Sequence, residues 1–215
     1  LSQQVGERWM AMNVLVGLSY VSEDVDAGPA LEEMVGVLRQ TGNRMMQIVW
    51  LRQLAHRRRM EGDHEGAKRA VDEALEIVKR EATPEANVLG QYILASHLDE
   101  AEKDYAGALR EFRTGLSAAH SQGSEWETTF GLTGVARMLA HNGEDERAAL
   151  LLGAAEAMQE KVGMMHPQGP RAEAQRKVIE VLGNALGEVE LQRLRAEGRA
   201  MSLDEAVALA TEAAN

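Results

Sequence analysis

The chain contains no cysteine, which excludes a disulfide framework, thiolate metal sites and thiol catalysis together. Aromatic residues are scarce, at 4%. Sandwiches and barrels draw on aromatic and β-branched side chains, so this scarcity, beside plentiful Ala, Leu, Val and Met, favours helices packed through small residues. Apolar runs of the ~20 residues needed to span a bilayer are missing, and residues 1 to 25 lack the basic start, apolar middle and cleavage site of a signal peptide. A cytoplasmic location with no membrane partner is therefore expected. Cations are outnumbered, since 23 Lys and Arg face 34 Asp and Glu for a formal charge of -11. That balance disfavours direct contact with nucleic acid. The signatures of a P-loop, a nucleophile elbow, HExxH and a dinucleotide fingerprint are all missing, and no two of the six histidines share the i, i+4 spacing that presents imidazoles to zinc. No enzyme, cofactor or metal site is expected.

What the sequence does contain is a repeating pattern. From Leu132 to Ala155, Leu132, Val135, Ala136 and Leu139 fall at helical spacing, Asn142-Gly143 ends the helix, and Ala148, Leu152 and Ala155 form the facing stripe of the next. This resembles a tetratricopeptide (TPR) unit, in which small residues stand where two antiparallel helices nearly touch. Ala30, Ala67, Ala108 and Ala148 mark equivalent places at separations of 37, 41 and 40 residues. The expected fold is all-α: a right-handed α-solenoid of antiparallel hairpins, with about four repeats over 7–42, 43–82, 83–123 and 124–162 and eight helices in all. Between the first two helices, Glu23 to Gly28 has the acids and glycine of a calcium loop. Its glycine comes one residue early and Pro29 follows, so acids gathered at a helix N-terminus explain it better.

The pattern breaks at Gly163 to Pro170, where two prolines and two glycines interrupt the helix. Residues 163–215 then supply helices over about 171–186 and 189–197 and a last one opened by a Ser202/Glu205 capping box. A solenoid needs its open end covered, and this tail is read as that cap. The combination RAALLLGAAEAM, a Pro/Gly-rich loop and basic helix, and LRAEGRAMSLDEAVALA resembles the C-terminal end of large bacterial LuxR-type and related STAND ATPase regulators. The likeness is strongest over Arg147 to Ala210; Gly6 to Lys161 carries only the broader TPR pattern. It implies a module that senses an inducer or partner and passes the event to an ATPase switch and output domain encoded upstream. Leu1 in place of an initiator methionine fits a piece of such a protein.

Binding chemistry is sought on the first helix of each repeat. Aligning the landmark alanines puts Ser19, His56, His97 and Arg137 at one register, with Arg52, Gln53 and Arg59 within a turn of His56 and His141 one turn beyond Arg137. Cations at these places would line the concave groove of an acidic protein. The expected ligand is an acidic peptide, protein segment or small acidic inducer, held by Arg52, Gln53, His56, Arg59, His97, Arg137 and His141. Arg57 to Arg59 also complement a helix C-terminus without any ligand. Met45-Met46 and Met164-Met165 read as core filler before binding surface. Apolar solenoid ends leave self-association open, and two rival readings stand beside the sensor: a free-standing adaptor, and an enzyme whose site is assembled from residues that sequence spacing does not connect.

Overall fold

In the computed structural model, which describes residues 28–163 and 169–212 together with positions 10 and 14, the chain is all-helical among the described residues. The elements are α1 Gly28–Thr41, α2 Arg44–Met60, α3 His64–Glu81 and α4 Pro84–His97. A π-helical turn Leu98–Glu102 follows, then α5 Tyr105–Ser121, α6 Glu125–His141, α7 Asp145–Lys161, α8 Gly169–Leu186, α9 Glu188–Arg199 and α10 Leu203–Thr211. The helix expected over 7–22 and the acidic stretch 23–27 lie outside the described residues, apart from Met10 and Val14, which are helical and exposed. Met164 and Met165 lie outside them too.

A single residue of positive φ ends each stretch from α1 to α7. These residues are Gly42, Gly62, Ala82, Lys103, Gly123, Gly143 and Gly163, spaced by 20, 20, 21, 20, 20 and 20 residues. Left-handed backbone at this place lets the last carbonyls of one helix be satisfied while the chain reverses. After Gly62, for example, the Asp63 N–H donates to the Arg58 carbonyl at 2.8 Å, and Gly62 N–H to Arg59 at 3.0 Å. After the first six of these, the next residue is also the N-cap of the following helix. Asn43, Asp63, Thr83, Asp104 and Ser124 each accept the N–H three residues on, at 3.2, 2.8, 3.2, 2.8 and 3.5 Å. Such caps contribute about 1 kcal/mol each. The landmark alanines Ala67, Ala108 and Ala148 stand four residues after a cap and are buried. Ala30 is buried too, but at 37 residues before Ala67 it is three residues out of that register.

The spacing of 21 has a local cause. The extra residue is absorbed as the π-helical turn, which widens one turn of the helix so that the chain still reverses at Lys103.

Contacts divide the chain into two units, Leu1–Ile93 with Pro167–Ala172, and Leu94–His166 with Glu173–Asn215. In the first, α1 packs on α2 and α2 on α3 around Met34, Val35, Ile48, Leu51 and Ala74, with Met45 and Met46 partly buried against that core. In the second, α5, α6 and α7 pack in succession around Phe112, Leu116, Leu132, Leu139 and Leu151.

The tail joins this second core. Helix α9 lies along α7, and α10 touches α5, α6 and α7. Two glycines set the approach of α9: a Cβ on Gly153 would stand 2.1 Å from the Arg195 carbonyl oxygen, and one on Gly198 1.9 Å from that of Leu150. Backbone therefore meets backbone, and the crossing is sealed by Arg195 donating to both oxygens of Glu156, at 2.7 and 2.9 Å. The capping box opens α10, with Ser202 N–H donating to Glu205 at 2.7 Å. Its C-terminal carbonyls are covered by arginines, since Arg113 Nε donates to Ala210 at 2.8 Å and Arg147 to Leu209 at 2.7 Å.

A paired substitution tests the glycine crossing. Gly153→Ala should destabilise the chain by about 1–3 kcal/mol, because neither backbone can yield. Gly36→Ala, at a helical position with open space around it, should stabilise by up to about 1 kcal/mol. Urea denaturation of both variants reads the opposite signs.

Candidate functional site

The cap register of the helices locates the groove residues within their own elements. Thirteen residues after the caps Asn43, Thr83 and Ser124 stand His56, Ser96 and Arg137. His97 comes one residue later, about 100° further round its helix. Alignment on the landmark alanines runs through the extra residue of the π turn, which is why it selects His97.

Around that turn the second unit gathers three of the expected residues. Asp99, 7% exposed, points inward and accepts from Arg137 at 2.6 Å. The Arg137 guanidinium also stands 5.9 Å from the centre of the Phe112 ring, close enough for a cation–π contact. That ring fits only because Gly134 has no side chain, as a Cβ there would come within 2.4 Å of it. His97 Nε2 lies 3.3 Å from Glu102. His141 stacks flat on Tyr105, with centroids 4.2 Å apart and planes 4° from parallel. Burial pulls the His141 pKa below its ordinary 6.5; Asp99 opposes this shift, while Arg137 and Lys103 add to it.

Two of the three face a carboxylate, Arg137 at Asp99 and His97 at Glu102, while His141 packs on Tyr105. Arg137, read from sequence as a ligand-holding group, is neutralised by Asp99, so an incoming anion must displace a buried carboxylate. Asp99 itself is invisible to periodicity. The residue is an acid in a run of acids, and only the π turn directs it inward.

The remaining groove candidates, Arg52, Gln53, His56 and Arg59, belong to the first unit and lie half-buried along α2. Positions 52, 56 and 59 follow one face of that helix, beside the buried Leu51 and Ala55. Their neighbours in the basic run are internally engaged. Arg57 pairs with Glu61 at 2.5 Å, while Arg58 reaches Glu32 at 2.7 Å and the Gly66 carbonyl at 3.1 Å.

Charge is unevenly divided. Leu94–His166 and Glu173–Asn215 hold 20 acidic and 11 basic residues, a balance of -9 out of the chain's -11. Residues 28–93 hold ten of each and are neutral. An anion therefore meets less repulsion at the α2 cations than at those of the second unit.

Among the described residues no group of three or more His, Asp or Glu is placed to hold a metal ion, and no helix is long and apolar enough to cross a membrane. No protein-family model matches the chain, and no curated protein or solved structure is significantly similar to it.

Two measurements follow from the π-turn cluster. Unfolded His141 takes a proton near 6.5 and folded His141 only below that, so the second unit should lose stability as pH falls through the interval beneath 6.5. His141→Gln should flatten that part of the profile, read as the urea midpoint at about pH 7.5 and 5.5. A double-mutant cycle on Asp99→Asn and Arg137→Gln should return a coupling of about 1–3 kcal/mol, with each single variant destabilised.

Proposed function

We propose that this chain is a TPR-like sensing and interaction module, acting by binding, and that it forms the C-terminal part of a bacterial signal-dependent transcriptional regulator. The observation that carries the reading is the cap-and-turn period: seven left-handed residues at steps of 20 or 21, five of them followed by a side-chain cap. A chain that repeats one bend at a fixed interval builds paired helices of equal length, the unit of an α-solenoid. The tail supports the regulator reading in detail. The residues that resemble the C-terminal end of LuxR-type and STAND regulators are those that engage one another: Arg147 with Leu209, Gly153 with the Arg195 backbone, Leu150 with Gly198, and Glu156 with Arg195. In this reading residues 163–215 are the cap on the fourth repeat.

The ligand is an acidic peptide or small acidic inducer held along α2 of the first unit by Arg52, Gln53, His56 and Arg59. His97, Arg137 and His141 form a separate group within the second unit. A free-standing adaptor would share the same bend and the same groove. The open reading frame separates the two, because a regulator encodes an ATPase and an output domain ahead of this segment.

Titration of the intact chain with acidic peptides should show binding that weakens with added salt. Arg52→Ala should weaken it about tenfold or more, as expected for loss of a charge-assisted contact. Arg137→Ala should cost less, because Asp99 neutralises that guanidinium. Equal binding by wild type and an Arg52→Ala/Arg137→Ala double variant would remove the groove from the proposal.

A further inference from the structure

A cavity of about 180 Å³ opens in the first unit where the C-terminal turns of α1 and α3 meet the first turn of α2. It is built from a fixed wall and a charged rim. The wall is a hydrogen-bonded chain. Arg39 donates to both oxygens of Glu73, at 2.8 and 2.5 Å, and Gln47 donates to Glu73 at 2.8 Å while accepting from Arg44 at 2.8 Å. Gln47 is 2% exposed, so this arrangement is held by the core and not by surface packing. The floor is Ile77, 5% exposed. The bonds from Arg39 hold the Glu73 carboxyl below its usual range, leaving it ionised and saturated.

The remaining lining charges are less fully engaged. Arg44 donates to Gln47 and adds a weaker attraction to Glu73, and among the described residues Arg80 and Glu81 pair with no opposite charge within 4.0 Å. Glu76 on the same rim has only Lys79, at 4.0 Å. Two guanidinium groups and two carboxylates thus border one small space above an apolar floor. A simple anion entering it gains from the arginines and is repelled by Glu76 and Glu81. A simple cation meets the converse. A molecule carrying both charges a few ångströms apart satisfies both sets.

Size narrows the class further. At about 180 Å³ the cavity is smaller than the few hundred Å³ of a drug-sized pocket. We propose that this cavity is a binding site for a small zwitterion, a free α-amino acid, with its carboxylate between Arg44 and Arg80, its ammonium toward Glu81 and Glu76, and its side chain over Ile77. The assignment rests on the cavity alone and stands whether or not the α2 face carrying Arg52 takes an acidic ligand.

Calorimetric titration of the intact chain with L-leucine, N-acetylleucine, leucinamide and inorganic phosphate tests it. Leucine should bind in the micromolar to millimolar range, the two singly charged analogues at least about tenfold more weakly, and phosphate no better than they do. Arg80→Ala and Glu81→Ala, both exposed changes that leave the Gln47 chain in place, should each weaken leucine about tenfold, with Arg80→Lys recovering part of the loss. Arg52→Ala should leave leucine binding unchanged. Leucine failing to bind at ~10 mM, phosphate or N-acetylleucine binding as well as leucine, or undiminished affinity in Arg80→Ala would each overturn the assignment.

Discussion

Three bends of this chain, at Asp63, Asp104 and Ser124, turn on one residue making two hydrogen bonds in opposite directions. At Asp63 the backbone N–H reaches back to close the preceding helix on Arg58, while the side chain reaches forward to the Gly66 N–H and opens the next. Ser124 does the same between Ala119 and Glu127. Because both bonds are local, they fix where one helix stops and the next begins, and packing of the apolar stripes supplies most of the helical stability. The bend at Gly143-Glu144 shows what happens when the forward bond is absent. Glu144 keeps the backward bond to Leu139 but makes no side-chain cap, and pairs instead with Arg147. The positions equivalent to Arg147 are Gly66 and Gly107; here, a long cation replaces a hydrogen and reaches the carbonyls of Leu209 and Glu212. The bend has become an attachment point for the tail.

Four arginines of the second unit are used inward. Arg113 and Arg147 cover carbonyls at the end of α10, Arg195 clasps Glu156, and Arg137 clasps Asp99. Planar guanidinium groups suit such places, because they present several donors in a fixed fork and remain charged when burial pulls on them, as it does at Arg113. These four arginines are committed to the packing of the second unit, whereas residues 28–93 of the first carry equal numbers of acidic and basic side chains.

Much of the helical layout was legible in the residues. Gly62-Asp63, Gly123-Ser124 and Asn142-Gly143 announce bends through known turn chemistry, and Ser202 with Glu205 announces the last helix. Ala67, Ala108 and Ala148 announce close helix approach, and all are buried. The bends at Ala82 and Lys103 carry no glycine, so only the regular interval around them reveals that these residues take up left-handed backbone. The site was less legible, for a physical reason. Periodicity assigns a residue to a face of its own helix, but partners such as Asp99 for Arg137 or Glu73 for Arg39 and Gln47 come from other elements. A side chain's availability depends on those partners, and no spacing rule counts them.

The π-helical turn has a mechanical consequence as well as a geometric one. Wide turns make poorer use of backbone hydrogen bonds than α-helical ones, and this one ends on a lysine held in left-handed backbone, a conformation that costs an L-residue about 1–2 kcal/mol. The inward pull of Asp99 on Arg137 opposes both. Residues 98–104 are therefore a seam closed by a side chain, and any event that unseats Asp99 lets the backbone there fray ahead of the helices around it.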